Sequence, residues 1–326
     1  MPHVLVAGKL HPAGRTILTE APGFTATFID EVSEASYAPH LAGADALLIR
    51  TQPLSAATLA TARRLRIVSR HGVGYDAVDV AALNARNIPL CICGDVNSSA
   101  VAEHAMMMIL ASAKRALRAD AAVRRGPWGW RDRLESQDLA GRNLLLIGYG
   151  RIGRRIAAMA AGFAMTIRAY DPFLAERGWP SGAVTPVASL HEGLGWADIV
   201  SVSAPHSGKP LIGAAEFAQM RDGAILVNTA RGGTVDEAAL VSALETGKVG
   251  AAGLDVFSAE PPPHDHPLLR FDQVLLSPHI AGVTEGAAVR MAISSAQNIV
   301  DFFAGTLDPD LIVNRAALTR PKEPTQ

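Results

Sequence analysis

The stretch from Leu144 to Asp171 constrains the fold of this chain more than any other. An apolar run (144–147) leads into Gly148-Tyr149-Gly150-Arg151-Ile152-Gly153, and a segment of helical periodicity follows to about residue 163. A second apolar run (165–170) then ends at Asp171. Strand, glycine turn, helix, strand and acid in this order predict a βαβ unit of a parallel sheet.

Each glycine of this turn has a separate steric task. Gly148 permits the tight turn, Gly150 lets a pyrophosphate approach the backbone, and Gly153 lets the helix and the strand pack closely. The helix that begins here directs its free N–H groups and its positive dipole end toward phosphates. Asp171 can accept both ribose hydroxyls of an adenosine and would repel a 2′-phosphate. The glycine pattern alone could be an ordinary turn, but its flanking strands and acid favour a site for NAD rather than NADP.

Length and composition set outer limits on the chain. Its 326 residues suit about two domains. A net charge of -1 and a hydrophobic content of 49% fit a soluble globular protein, with no electrostatic reason to expect nucleic acid or an anionic membrane. There is no basic-then-apolar leader, and the longest apolar stretch, Ala105 to Ala113, is too short to span a bilayer. We expect a cytoplasmic protein in which Cys91 and Cys93 are core residues of a buried strand.

Apolar runs elsewhere predict the remaining strands. Before the glycine turn they alternate with helix-like segments, as in a parallel sheet with crossover helices, and lie at Val4–Ala7, Ala46–Arg50, Arg66–Arg70 and Pro89–Cys93. After the turn they lie at Ile199–Ser203, Ala224–Asn228, Ala251–Val256 and Val274–Leu276, and the first three are predicted as the fourth, fifth and sixth strands of a doubly wound sheet. A helix from about Gly286 to Phe303 is predicted to return to the first domain.

Two further segments have distinctive patterns. A long helix, roughly Ser99 to Arg118, is apolar on every side in its middle, so we expect it to be buried, to connect the domains and to hold His104 as a hydrogen-bonded structural residue. The segment Arg124 to Gln137 contains two of the four tryptophans and four arginines. Exposed rings there would be poorly solvated, so a subunit interface is preferred over packing on its own domain. The tail, residues 320–326, is predicted to be disordered.

Three polar side chains follow predicted strands of the second domain. Arg231 comes after Val227-Asn228-Thr229-Ala230, Glu260 after Asp255-Val256-Phe257, and His279 after Leu276-Ser277-Pro278. Parallel sheets bind ligands at the carboxyl ends of their strands. An arginine can grip a carboxylate through two hydrogen bonds, a histidine can exchange a proton near neutral pH, and a neighbouring glutamate can hold the imidazolium. Singly, each could be a solvated or packed side chain; together beside NAD they favour alcohol and ketone chemistry.

In these and other motifs the chain resembles the D-isomer-specific 2-hydroxyacid dehydrogenases. The matching stretches occur in family order and cover nearly the whole chain. They are Gly72-Val73-Gly74-Tyr75-Asp76, Gly148 to Gly153, Asn228-Thr229-Ala230-Arg231-Gly232-Gly233, Gly253-Leu254-Asp255-Val256-Phe257 with Glu260-Pro261, and Ser277-Pro278-His279-Ile280-Ala281-Gly282.

The resemblance implies an α/β fold with two Rossmann-like domains. A doubly wound NAD-binding domain, residues 98–285, is inserted into a flavodoxin-like substrate domain of residues 1–97 and 286–326, and an arm at about 115–138 makes a homodimer. It implies an NAD-dependent oxidoreductase that interconverts a small 2-oxo acid and its D-2-hydroxy acid.

Residue roles also follow from the resemblance. Arg231 orients the substrate carboxylate and carbonyl, His279 is the general acid and base, and Glu260 pairs with His279. The amides of Val73 and Gly74 bind the substrate carboxylate. The residues expected around NAD are Gly148, Gly150, Arg151, Ile152, Gly153, Asp171, Ala204, Thr229, Ala230, Asp255 at the nicotinamide carboxamide, His279 and Gly282.

Some features depart from the family or stay open. The loop His206-Ser207-Gly208-Lys209-Pro210 is shorter than usual for the family. We also expect the protein to lack the C-terminal regulatory domain of many family members, so feedback control by an amino acid is not expected. Arg50 and Arg70, at strand ends, either bind a second anionic group of the substrate or are solvated. His264-Asp265-His266 is a solvated loop rather than a metal site, for want of a third strong ligand. An NAD-sensing scaffold or co-repressor on the same fold is the alternative function.

Overall fold

The computed structural model describes residues 1–126, 128–182 and 184–318. The predicted disordered tail lies outside these residues. The chain divides into two compact units, of which the first joins Met1–Asn97 to the segment that begins at Thr284 and the second is Ser98–Val283.

Strands and helices alternate along the described residues. The strands are β1 (His3–Ala7), β2 (Thr25–Ile29), β3 (Ala46–Ile49), β4 (Ile67–Arg70), β5 (Leu90–Cys91), β6 (Asn143–Ile147), β7 (Thr166–Tyr170), β8 (Thr185–Pro186), β9 (Ile199–Val202), β10 (Ala224–Asn228), β11 (Val249–Leu254) and β12 (Val274–Leu276). The α-helices are α1 (Pro12–Glu20), α2 (Glu34–Tyr37), α3 (Ala56–Thr61), α4 (Val80–Ala85), α5 (Ser98–Ala113), α6 (Ala116–Arg125), α7 (Arg151–Ala161), α8 (Pro172–Arg177), α9 (Leu190–Trp196), α10 (Ala214–Gln219), α11 (Glu237–Glu245) and α12 (Glu285–Ala304).

The first unit is built on a five-stranded parallel sheet in the order β2-β1-β3-β4-β5. This is the flavodoxin-like strand order. Strands β1, β3 and β4 are buried almost throughout, because helices cover both faces of such a sheet. Helix α12 contacts α1, β3 and β4, as predicted for a helix that returns to this domain. A side chain at Gly14 would meet the Ala292 carbonyl at 2.6 Å, so the glycine permits the close approach of α1 and α12.

The second unit is built on a seven-stranded parallel sheet in the order β12-β11-β10-β9-β6-β7-β8. Counted within the unit, the order is 7-6-5-4-1-2-3, which is the Rossmann order with one strand added. The predicted fourth, fifth and sixth strands are therefore confirmed as β9, β10 and β11. The strand order reverses between β6 and β9, and such a switch point opens a crevice for ligands at the carboxyl ends of the strands.

The prediction of a single long helix, roughly Ser99 to Arg118, is wrong, because α5 ends at Ala113 and α6 begins at Ala116. Arg115 lies between them with a left-handed φ of +52°, which interrupts the helical path. Its Nη1 donates to the Gly250 carbonyl at 2.6 Å, and the Gln137 amide donates to the Ala113 carbonyl at 2.8 Å. These tertiary hydrogen bonds replace the helical ones, and a sequence pattern does not reveal them.

Two strands were not predicted, one was predicted too long, and the predicted strand Ala251–Val256 lies two residues beyond β11 (Val249–Leu254). Strand β2 lies at a sheet edge with no buried residue, and β8 has only two residues, so neither gives an apolar run. The predicted strand Pro89–Cys93 shortens to β5, because the Ile92 amide donates to Leu311 and the Cys93 amide to Gly72. Cys91 and Cys93 are buried free thiols as predicted, and burial raises the pKa of Cys91 to about 12 and that of Cys93 to about 11.

No helix within the described residues combines the length and the apolar composition that a membrane span requires.

Candidate active site

The residues predicted around NAD all lie in the second unit, just past the carboxyl ends of its strands. Gly148, Gly150, Arg151, Ile152 and Gly153 follow β6; Asp171 follows β7; Ala204 follows β9; Thr229 and Ala230 follow β10; Asp255 follows β11; and His279 and Gly282 follow β12. One edge of one sheet therefore carries the whole set.

The glycine turn after β6 has the steric features that a pyrophosphate requires. Gly148 has a φ of +91°, and a Cβ there would lie 2.9 Å from the Ala204 amide nitrogen. A Cβ on Gly153 would lie 2.3 Å from the Gly148 carbonyl oxygen. At Gly150, by contrast, an added Cβ would meet no described atom within 4 Å, and α7 begins there without a side-chain cap. The open N-terminus of α7 fits an anionic ligand.

Asp171 and Thr229 border the same edge. The Asp171 carboxylate accepts from the Tyr149 amide at 2.9 Å and from the Phe173 and Leu174 amides at 3.0 and 3.1 Å, so its charge is fixed at the end of β7. The Thr229 hydroxyl is buried and has no hydrogen-bond partner among the described residues. A buried hydroxyl without a partner is costly unless a ligand or water satisfies it. Both residues fit the predicted cofactor.

His279 and Glu260 form a close pair. His279 Nδ1 lies 2.7 Å from Glu260 Oε2, and the other carboxylate oxygen accepts from the Phe257 amide at 3.0 Å. A carboxylate only accepts hydrogen bonds, so Nδ1 carries the proton and Nε2 is the ring nitrogen left to gain or lose one. The two side chains are 49% and 37% exposed, so a small molecule can reach the pair.

Asp255 holds the loop that carries His279. Its carboxylate oxygens accept from the Ile280 and Ala281 amides, each at 2.9 Å, and its carbonyl accepts from the His279 amide at 2.8 Å. His279 has a left-handed φ of +53°, which is costly for a residue with a side chain. The hydrogen bonds to Asp255, which is 1% exposed, stabilise that conformation. Sequence reasoning gave Asp255 a cofactor contact only and missed this second task.

Arg231 projects from the turn after β10. The buried side chain of Asn228 shapes this turn: its Oδ1 accepts from the Ala230 amide and its Nδ2 donates to the Arg231 carbonyl, both at 3.0 Å. A Cβ on Gly232 would lie 1.9 Å from the Phe257 carbonyl carbon. The Arg231 turn thus packs directly on the segment that holds Glu260. Asn228 was not predicted as a site residue, although a polar residue at the end of a buried strand was the available signal.

Four predicted substrate-binding residues lie in the first unit. Arg50 follows β3, Arg70 is the last residue of β4, and Val73 and Gly74 lie in the segment after β4. Arg50 Nη1 donates to the Lys9 carbonyl at 2.7 Å, and its Nε is buried with no hydrogen-bond partner among the described residues. Burial, with a further contribution from both guanidinium groups, lowers the pKa of His71 to about 4. The two arginines therefore act on one buried histidine, which the sequence did not single out.

Two further loops of the second unit have defined contacts. The His206 ring lies against Gly233, where an added Cβ would be 2.9 Å from its Cε1, so the short loop after β9 contacts the Arg231 turn. His264 and Asp265 are exposed, as predicted for a solvated loop, but the prediction is wrong for His266, which is half-buried with its Nε2 3.2 Å from Glu237 Oε2. No group of three His, Cys, Asp or Glu side chains that could hold a metal ion occurs within residues 1–126, 128–182 and 184–318.

A Rossmann-order sheet with an open glycine turn, a fixed acid after its second strand and a His–Glu pair at the same edge defines a dinucleotide-binding domain with acid–base groups. The chain belongs to the D-isomer specific 2-hydroxyacid dehydrogenase family, whose NAD binding domain matches residues 106–281. NAD is accordingly the cofactor of this domain.

The chain matches different shares of the length of its known relatives. The chain is 37% identical over 265 residues to D-3-phosphoglycerate dehydrogenase from Archaeoglobus fulgidus, which is 80% of this chain and 50% of that protein. It therefore spans about half of that relative. Identity to glyoxylate reductase from Korarchaeum cryptofilum is 36% over 308 residues, covering 93% and 90%. The crystal structure of TT0316 protein from Thermus thermophilus superposes with a TM-score of 0.86 at 31% identity, covering 95% and 99%.

Proposed function

We propose that the protein is an NAD-dependent oxidoreductase that interconverts a small 2-oxo acid and its D-2-hydroxy acid, with His279 as the general acid and base. NADH, when bound, supplies the hydride that reduces C2 of the 2-oxo acid. The chain's own residues bind the acid, orient its carbonyl and move one proton.

The pairing of His279 with Glu260 is the observation that carries this proposal. With Nδ1 held by the carboxylate at 2.7 Å, the protonated ring offers one N–H, on Nε2, to the carbonyl oxygen of a substrate. During reduction Nε2 donates this proton to the carbonyl oxygen, which becomes the hydroxyl oxygen of the 2-hydroxy acid. During oxidation the neutral Nε2 takes it back. The Glu260 charge stabilises the imidazolium in both directions.

Arg231 complements the proton donor. A guanidinium presents a planar fork that matches a carboxylate and can also polarise an adjacent carbonyl oxygen. Asn228 and Gly232 fix the turn on which it sits, so its backbone does not need to be ordered when substrate binds. Val73 and Gly74 are proposed to add backbone N–H groups to the same carboxylate.

We propose a second anion-binding role for Arg50 and Arg70. A buried Arg50 Nε without a partner among the described residues is better explained by a ligand than by a solvated strand end. Burial also lowers the pKa of Arg50, a cost that a nearby anion would offset. A substrate with a phosphate, sulfonate or second carboxylate supplies that anion.

We also propose that the protein is a homodimer and that it lies in the reducing cytoplasm. Residues 115–138 expose large apolar side chains: Leu117 is 49% exposed, Val123 65%, Trp128 68% and Leu134 85%. Exposed apolar groups concentrated on one short segment are typical of a protein interface. A second copy of the chain is the proposed occupant.

The test is a substrate panel followed by NADH absorbance, with glyoxylate, hydroxypyruvate, pyruvate, phosphohydroxypyruvate and sulfopyruvate. Turnover of at least one 2-oxo acid, lost in His279→Ala by about 10² to 10⁴-fold while NADH still binds, is the expected result. NADH binding without turnover of any member would contradict the proposed reaction. Preference for the phosphorylated or sulfonated acids, lost in Arg50→Gln, would support the second anion-binding role.

A further inference from the structure

We propose that His104 is a positioning residue for the acid–base histidine and that it acts through Ser277 and Asp255. His104 lies on α5, 175 positions before His279, and its ring contacts Ser277 and Asp255 rather than the His279–Glu260 pair. The inference rests on the proposed function, because it explains how the proton donor of that reaction is held.

Three side chains form a hydrogen-bonded series in the second unit. His104 Nε2 lies 2.9 Å from Ser277 Oγ, and Ser277 Oγ lies 2.5 Å from Asp255 Oδ1. His104 Nε2 is also 3.6 Å from the same carboxylate oxygen. The His104 and Asp255 side chains are 15% and 1% exposed, so the series is largely shielded from water.

The direction of the series follows from the chemistry of its members. A hydroxyl has one proton, and an ionised carboxylate can only accept, so Ser277 donates to Asp255. Ser277 Oγ must then accept from His104, which places a proton on His104 Nε2. The histidine is thus the terminal donor, and its proton orients the hydroxyl toward the carboxylate.

The same carboxylate holds the loop around His279. Asp255 Oδ1, the oxygen that Ser277 contacts, also accepts from the Ile280 amide, and Oδ2 accepts from the Ala281 amide. The orientation of the carboxylate plane therefore sets the position of the two residues after His279. Because His279 itself has a left-handed φ, a rotation of this carboxylate would release the backbone conformation that aims the ring at its partner.

Matched variants of His104 separate a hydrogen-bonding role from a packing role. His104→Phe keeps the ring volume and removes the donor, whereas His104→Gln places an amide N–H near the position of Nε2. Ser112→Ala is the control, since Ser112 is a buried residue on the same helix whose hydroxyl has no partner among the described residues. We expect His104→Phe to lower kcat about five- to tenfold, the loss typical of one hydrogen bond. His104→Gln should recover most of kcat, and Ser112→Ala should leave it unchanged.

Ser277→Ala tests the same series from its middle and guards against misfolding of His104→Phe. If both residues act through Asp255, the double variant should lose no more kcat than the worse single variant. Multiplicative losses, or a His104→Gln variant as slow as His104→Phe, would overturn the proposal.

Amide hydrogen exchange makes the result independent of turnover. Mass spectrometry of a peptide spanning residues 277–283 should show faster exchange in His104→Phe and Ser277→Ala than in wild type, with His104→Gln and Ser112→Ala like wild type. If no 2-oxo acid is turned over, the proposed function fails and exchange alone decides the inference. Unchanged exchange in His104→Phe overturns it whatever the activity.

Discussion

His71 is predicted to make the first unit sensitive to acid. In the folded protein the pKa of His71 is lowered from 6.5, the value of a free histidine, to about 4. Burial is the largest cause, and the positive charges of Arg50 and Arg70 are the next. Between these values the unfolded chain binds a proton that the folded protein does not bind. The free energy of unfolding therefore falls as the pH falls through this window, and the whole contribution is lost below about pH 4.

The magnitude follows from the difference between the two pKa values. About 1.4 kcal/mol for each pH unit gives roughly 3 kcal/mol over the window, of which about 2 kcal/mol is lost between pH 7 and pH 5. For a domain whose net stability is about 5 to 15 kcal/mol, this is a large share. At the pH of the cell His71 is neutral, so it adds no third positive charge beside Arg50 and Arg70.

The perturbation is His71→Gln, which retains a polar side chain but cannot titrate. Urea unfolding is followed by circular dichroism at pH 7 and pH 5, and hydrogen exchange of peptides from β3 and β4 assigns the transition to the first unit. Wild type should lose about 2 kcal/mol more than His71→Gln between the two pH values. His40→Gln, at an exposed histidine of the same unit, should behave like wild type.

Carboxylates elsewhere also respond to acid, but they do so equally in all three proteins. Despite partial burial, hydrogen bonds hold the pKa of Asp45 and Glu34 low, with the Arg64 charge contributing at Asp45, so both lose stabilising interactions as the pH falls. The comparison between variants cancels this shared term. An identical pH dependence in wild type and His71→Gln would refute the reasoning about the buried histidine.

Further predictions concern the second unit. Arg231→Lys keeps the charge but loses the fork, so kcat/KM should fall at least about 100-fold with NADH binding intact; equal kcat/KM would place the substrate anion elsewhere. Asp171→Ala should reduce the preference for NAD over NADP, and an unchanged ratio of affinities would reject its ribose contact. Gly232→Ala should unfold or precipitate, because its Cβ would overlap the Phe257 backbone. Gly150→Ala should fold, because its Cβ meets open space, but lose NADH affinity in a fluorescence titration.

Burial decided which strands the sequence could predict. Strands β3, β6 and β10 are covered on both faces, and a strand in that position must be apolar at nearly every residue. The edge strand β2 has Thr-Ala-Thr-Phe-Ile, which lacks a continuous apolar run because one side faces solvent. Helix α5 ends before the predicted Arg118 because Arg115 has a left-handed φ. That conformation depends on contacts with residues that are distant in sequence, such as Gly250.

The site was predictable where local geometry dictates residue type. Gly148 has a positive φ, and Gly153 lies against the Gly148 carbonyl only five residues earlier, so their spacing alone indicates the turn. His71 gave no such signal, because its pKa is lowered mainly by burial and then by the charge of Arg50, and both depend on parts of the chain that are distant in sequence. Asn228 differs, because its amide contacts only Ala230 and Arg231, which are close in sequence, and its position at the end of a buried strand was a signal that the prediction did not use.

Asp255 shows how a residue can serve the fold and the cofactor together. A carboxylate offers about four lone-pair positions. The Ile280 amide and the Ser277 hydroxyl occupy Oδ1, and the Ala281 amide occupies one position of Oδ2. One acceptor position therefore remains on Oδ2, which suits the nicotinamide carboxamide contact that the family resemblance implies. The cofactor and the loop of His279 would then meet at one buried anion, so Asp255→Asn, which replaces an acceptor with a donor, should weaken NADH binding and slow proton transfer in the same variant.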